Sequence, residues 1–314
     1  MGITHFDDAP AREYALGHIR GRWTMLGDAA GCATVGVRRI QLPAGGWSTP
    51  VHDHGRSEEI FYVLSGRGVS WHDGATAAIG ADDCIVYHPR RGGHSLRADE
   101  GLDVLAFGPR EYDESLQLPR LGLSMLGRRG VESIPGPDDG TPLQHVREAE
   151  LGPPGLPDTS AERGERPPTI VNLDEVDAER VERPRVVRTR RNLGRAAGSR
   201  LTGLQHVEVA AGRYAAPQHC HSLEEEIFVI LDGAGVLVLG DEETAVRPGH
   251  VIARPAGTGV AHAFRAETDL TYLAYGTREA GDICFYPRSN KLAFWGVGVI
   301  ARLEPIADYW DGED

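Results

Sequence analysis

The chain has 314 residues, enough for about two domains that each bury a core of their own. Its 40% hydrophobic and 25% charged content is that of an ordinary globular protein, and no run of about 18 or more apolar residues offers a membrane-spanning helix. A formal net charge of −13 argues against nucleic acid as the main partner, because phosphate recognition needs a basic surface.

In chain order, residues 1–10 (MGITHFDDAP) hold neither the basic patch nor the apolar core of a secretory signal, so a cytoplasmic location is expected. Short strand signals follow, each ending in a glycine-centred turn: Phe61-Tyr-Val-Leu64 runs into Ser-Gly-Arg-Gly, Ile227 to Leu231 into Asp-Gly-Ala-Gly, and Val236 to Leu239 into Gly-Asp-Glu-Glu. This spacing predicts an all-β barrel or sandwich, with no long amphipathic helix to compete and only short helices, one of them near residues 174–182.

Within the first strand series, His52 and His54 stand one residue apart, so on a strand both imidazoles face the same side. Glu59 follows after a short Gly-containing turn, and His94 comes after the Pro89-Arg-Arg-Gly92 turn, where an antiparallel neighbour can bring it into the same cavity. The whole set recurs as His219, His221, Glu226 and His262. From His52 to His219 the displacement is 167 positions, which also carries Glu59 onto Glu226 and Gly66 onto Gly233. From His94 to His262 it is 168, which carries Gly108-Pro-Arg110-Glu111 onto Gly276-Thr-Arg278-Glu279, Pro119-Arg120 onto Pro287-Arg288, and Gly130 onto Gly298. The repeated unit therefore covers roughly residues 35–130 and 202–298. Clustered imidazoles with a carboxylate are costly to bury without a cation, so each copy is expected to bind one divalent transition metal.

Between the copies, residues 131–184 are rich in Pro and Gly and predict an irregular connector. The expected domains are an N-terminal barrel over 1–130, the connector over 131–184, and a C-terminal barrel over 185–314. The Arg-rich segment 180–200 is expected to be a solvated edge strand rather than a docking patch. Cys32, Cys84, Cys220 and Cys284 lie far apart and suit a reducing compartment. Cys220, between two candidate ligands, should point to the opposite strand face and be buried. Alternation likewise turns Glu58 and Glu225 away from the metal, and the recurring Arg110-Glu111 and Arg278-Glu279 suggest a structural ion pair. Arg38, His206 and Arg213, near strands leading to the sites, are expected to be solvated strand residues rather than substrate contacts.

These motifs resemble those of the cupin superfamily, and the duplication resembles its two-barrel members, the bicupins. Gly46, His52, His54, Glu59 and Gly66 match the first cupin motif throughout; in the second copy Gly212 stands one residue further from His219, while His221, Glu226 and Gly233 match. For the second motif, copy one keeps Pro89 and His94 but has Asp83 in the Gly place. Copy two keeps Gly249, Pro255 and Gly257 and delays His262 by two residues; alanine (Ala98, Ala266) stands at the motif's final Asn in both. The resemblance implies two tandem double-stranded β-helix barrels of jelly-roll type, paired within one chain and able to form a homo-oligomer.

Three neutral imidazoles and one carboxylate leave open positions on an octahedral ion, as a substrate or O₂ requires; a structural zinc site is more often closed and thiolate-rich. Iron or manganese suits the set best, while zinc, nickel, copper and cobalt also fit it. The expected function is that of a metal-dependent enzyme acting on a small oxygenated organic molecule by dioxygenase-type chemistry. The alternatives are an O₂-independent decarboxylase, isomerase or lyase, and a non-catalytic metal-dependent binder of small ligands.

Overall fold

A computed structural model describes residues 2–126, 142–156, 166–304, 306–307 and 310–311. Gly130, the Ile134-Pro-Gly-Pro137 stretch and the tail residues 308–309 and 312–314 lie outside them. The chain forms two antiparallel β-barrels. The larger sheet of the N-terminal barrel runs in the order Ile170–Asn172, Asp83–Tyr87, Glu59–His72, His94–Pro109, Val35–Pro43, Ile19–Thr24, Ala11–Leu16. That of the C-terminal barrel runs Gly2–His5, His250–Arg254, Glu226–Asp232, Leu270–Thr277, Thr202–Val209, Val187–Arg191, Ala178–Glu182.

Pairing crosses the expected boundaries at residues 130 and 185 in both directions. The strand Gly2–His5 joins the C-terminal sheet, with Gly2 opposite Ala253, while Ile170–Asn172 joins the N-terminal sheet, with Ile170 opposite Ile85. Each strand covers an edge that would otherwise present unpaired backbone groups. Ala178–Glu182, where a short helix was expected, is a strand paired with Val187–Arg191; only Leu173–Glu175 forms a 3-10 turn. The repeat is thus longer than identity shows. Ala11–Leu16 maps onto Ala178–Glu182, and the helix α1 (Leu26–Ala29) onto a later helix (Leu193–Ala196), both at the displacement of 167. The connector is not wholly irregular, because Leu143–Leu151 forms a helix (α2), leaving Leu193–Ala196 as α3.

Strand alternation sorts the side chains into layers. Along Glu59–His72, Phe61 and Val63 enter the interior of their own barrel, whereas Ile60 and Tyr62 turn outward. These outward residues meet Ile227, Val229 and Leu273 of the other barrel in one shared core, where Phe107 stacks on its repeat equivalent Tyr275 at 5.0 Å. Gly66, in an irregular stretch within Glu59–His72, and Gly233, just after Glu226–Asp232, have φ +91° and +80°, and an added Cβ would lie 1.9 Å from the carbonyl oxygen of Gly101 or Asp269.

A reciprocal pair of carboxylates crosses the interface. Glu58, fully buried, accepts from the Ser199 hydroxyl (2.6 Å), the Arg200 N–H (3.0 Å) and the Thr202 hydroxyl (3.0 Å). Glu225 accepts from the N–H groups of Ala33 (2.8 Å), Thr34 (2.5 Å) and Val35 (3.2 Å) and from the Thr34 hydroxyl. The expectation that both turn away from the metal holds, and each enters the other barrel. Arg110 and Arg278 brace the receiving loops rather than pairing with their neighbouring glutamates: Arg110 donates to the Cys32 carbonyl and bonds Asp28, and Arg278 donates to the Ser199 carbonyl.

Candidate metal centres

In the N-terminal barrel, His52 and the short strand Asp53–His54 lie beside His94, the first residue of its strand, through paired N–H···O bonds between His52 and His94. Glu59 opens the adjoining strand. Its carboxylate lies 3.6 Å from His52 Nε2, 3.5 Å from His54 Nε2 and 3.0 Å from His94 Nε2. The C-terminal barrel repeats the figure, with Glu226 at 3.7 Å from His221 Nε2 and 3.2 Å from His262 Nε2, and with His219 in the same cluster.

For His52, His219 and His221 the outer nitrogen is fixed by donation, which points Nε2 inward. His52 Nδ1–H donates to the Pro50 carbonyl (2.9 Å) and His219 Nδ1–H to the Pro217 carbonyl (2.8 Å). His221 Nδ1–H donates to Asp282 (2.6 Å), and His54 Nδ1 lies 3.4 Å from Glu114. Glu114 and Asp282 are in turn held by backbone N–H groups, of Gly55, Arg56 and Ser57 in one barrel and of Leu223 and Glu224 in the other. Motif reading missed this pair, although they are equivalent at the displacement of 168, the one available signal.

The donors fit a cation. His54 Nε2 and Glu226 Oε2 are buried without a hydrogen-bond partner, which a polar atom aimed at a shared ion explains. Burial opposes charge on Glu59, yet the imidazoles, His54 foremost, hold its carboxyl well below the usual range. Burial pulls His54 down, but Glu59 and Glu114 outweigh it and raise the ring to about 9. Burial and then His52 push His94 down to about 3. Burial raises Glu226, and His262 and the other rings bring it down to about 2. All eight candidate ligands thus converge, four in each barrel.

The walls differ. Around the N-terminal cluster, Tyr87 stacks on His94 at 3.9 Å, and α2 lays His145 over the barrel, stacked on Tyr14 at 5.1 Å. The C-terminal cluster opens into a cavity of about 480 Å³ whose walls include Arg188, Arg190, Arg195 and Arg278, with Glu224 and Tyr286. Arg188 Nε and Arg190 Nε are buried without hydrogen-bond partners. The Arg-rich segment therefore does more than form a solvated edge, since Arg188, Arg190 and Arg195 all line this cavity. Among the weaker candidates, His206 is buried facing the other barrel rather than solvated, and Arg213 donates to the Pro184 carbonyl. Arg38 acts electrostatically on His145. Cys220 is buried as expected, but Cys284, which spacing does not single out, lies with His219 and His221.

The cupin domain family matches residues 38–106 and 205–275, once in each barrel. Each barrel thus carries a match to the cupin domain family, and the chain has the fold of a two-barrel cupin. A variant of the oxalate decarboxylase of Bacillus subtilis shares its fold at a TM-score of 0.57 and 15% identity, over 90% of this chain and 78% of that one. The same enzyme at pH 4.6 gives a TM-score of 0.56 and 16% identity, over 88% and 75%. A sugar phosphate isomerase of the cupin superfamily from Silicibacter pomeroyi matches over 45% of this chain and 97% of its own, with 24% identity and a TM-score of 0.40. No curated protein sequence matches. No helix among the described residues is long and apolar enough to cross a membrane.

Proposed function

We propose that this bicupin is a metal-dependent enzyme acting on a small oxygenated organic anion, with the C-terminal barrel as its reaction chamber. The observation that carries this reading is the arginine-walled cavity opening directly on His219, His221, Glu226 and His262. Arg188 Nε and Arg190 Nε have no internal partner, while Arg188 Nη1 donates to the Ala215 carbonyl and Arg190 Nη2 to Glu179; the remaining guanidinium donors suit a carboxylate. A divalent ion held by the three histidines and the glutamate would supply Lewis acidity and open coordination positions. Arg188, Arg190 and Arg278 would orient the substrate's anionic group, while Phe228 and Tyr272 exclude water from the chamber floor. The N-terminal set, His52, His54, Glu59 and His94, would hold a second ion.

Oxygen-dependent cleavage of the dioxygenase type remains the first reaction reading, since three imidazoles and one carboxylate leave room for two exogenous ligands. A second reading, O₂-independent decarboxylation or isomerisation, is favoured by Glu224. Its carboxylate lines the same cavity, 3.8 Å from His221, where it can carry a proton to or from the substrate. The experiment is turnover of small hydroxy-, keto- and dicarboxylic acids by metal-reconstituted protein, with and without O₂. Turnover that needs O₂ and survives Glu224→Gln supports the first reading; anaerobic turnover lost in Glu224→Gln supports the second. Binding of these acids without turnover would make the protein a sensor or carrier instead. Undiminished activity in His219→Ala would remove the C-terminal centre from the reaction.

A further inference from the structure

At the displacement of 168, Cys284 stands where the N-terminal barrel has Leu116, and Tyr286 where it has Leu118. Strand register confirms the equivalence: Leu116 pairs with His54 and Cys284 with His221. Residues directly opposite on antiparallel strands send their side chains to the same face. The C-terminal histidines therefore have a sulfur beside them where the N-terminal ones have a hydrocarbon. Cys284 Sγ and one nitrogen from each of His219 and His221 all lie within 4.8 Å of one another, and the thiol is fully buried. Independently, Glu226 Oε2 in the same barrel interior is buried without a hydrogen-bond partner, as an oxygen directed at a cation would be.

We infer that Cys284 is a further metal ligand of the C-terminal centre, and that the two barrels consequently select different ions. Nitrogen and oxygen donors alone suit a harder ion such as Mn(II) in the N-terminal barrel, whereas an added thiolate favours a thiophilic one such as Zn(II) or Co(II) and, by filling a further coordination position, weighs toward the O₂-independent reading at the C-terminal centre. The inference rests on the metal-site reading above. As the sulfur–metal bond forms, the thiol's S–H bond breaks and its proton leaves to solvent; no electron is transferred. The other three cysteines do not compete: Cys32 and Cys84 pack in the core shared by the barrels, and Cys220 points away from the ligand cluster.

Cobalt(II) titration of the full-length apoprotein tests this, with bound metal counted by native mass spectrometry. About two ions should bind per chain. Near-ultraviolet sulfur-to-cobalt charge-transfer absorption should grow with only one of them. Cys284→Leu, which copies the N-terminal barrel, should abolish that absorption and weaken the C-terminal site on the order of tenfold or more. The smaller change Cys284→Ser should do the same with less disturbance of packing, and Cys220→Ser should leave the absorption intact. Cobalt bound without charge transfer, or charge transfer that survives Cys284→Ser, overturns the thiolate ligand but not the metal site. A chain that binds no cobalt overturns both.

Discussion

Around its histidines the N-terminal barrel sets Trp23, Ser57 and Leu116; at the same repeat positions the C-terminal barrel sets Arg190, Glu224 and Cys284. The donors themselves are unchanged, as are the carbonyls of Pro50 and Pro217 that orient the first histidine of each set. After a duplication, the ligand geometry is held by the chemistry of the ion, whereas the wall residues are free to follow separate demands. Trp23 is buried and belongs to an apolar interior. Arg190 lies on the matching strand yet lines an open cavity, so one backbone position serves packing in one barrel and charge recognition in the other.

The largest expected effect tests whether the barrels can be compared as independent units at all. Fragments 1–150 and 165–314 would each lose a strand of their main sheet and expose the shared core around Ile60, Leu105, Ile227 and Leu273. Expressed separately, they should aggregate or self-associate in light scattering; two stable monomers would show that the shared core is dispensable.

Next come the crossing carboxylates. Glu58→Ala removes an acceptor of the Ser199 and Thr202 hydroxyls and of the Arg200 N–H, and Glu225→Ala removes that of three backbone N–H groups and the Thr34 hydroxyl. Each should cost roughly 3 kcal/mol in denaturant unfolding. Losses below about 1 kcal/mol would mean that water replaces the carboxylate without penalty. A clear inequality between the two would locate the asymmetry in the interface as well as in the walls.

Exchanging walls sharpens the comparison at the site. Arg188→Gly with Arg190→Trp reproduces the N-terminal residues Gly21 and Trp23. Bound metal should be retained while KM for an anionic substrate rises about tenfold or more, the loss of charge-assisted hydrogen bonds of order 1.5–3 kcal/mol. An unchanged KM would remove these arginines from substrate binding.

The smallest effect is a pH slope. In the metal-free N-terminal site burial disfavours a charged His54, but Glu59 and Glu114 hold its proton up to about 9. Because the raised value means the metal must displace that proton, affinity should rise with pH, roughly tenfold per unit, until about pH 9. Competition titrations against a chelator would read this slope, and a flat response would show that His54 enters the site already neutral.

The all-β duplication and the eight candidate ligands were legible along the chain, because ligands must keep both type and spacing for a cation to be shared. So was the placing of Glu58 and Glu225 on the far face from the metal, since alternation along a strand is local geometry. Tertiary structure alone decided where those carboxylates go, since their partners lie about 140 to 190 positions away. The exchange of Gly2–His5 and Ile170–Asn172 likewise depends on edges that exist only once both sheets have formed. Arg188 and Arg190 read as a solvated stripe because charge runs usually are one; only closure of the barrel turned that strand toward His219. Cys284 has no motif around it, and its nearness to His219 and His221 follows from a strand register joining residues more than sixty positions apart. Spacing along the chain records what one strand presents to an ion, while the walls around that ion are set by which strands become neighbours.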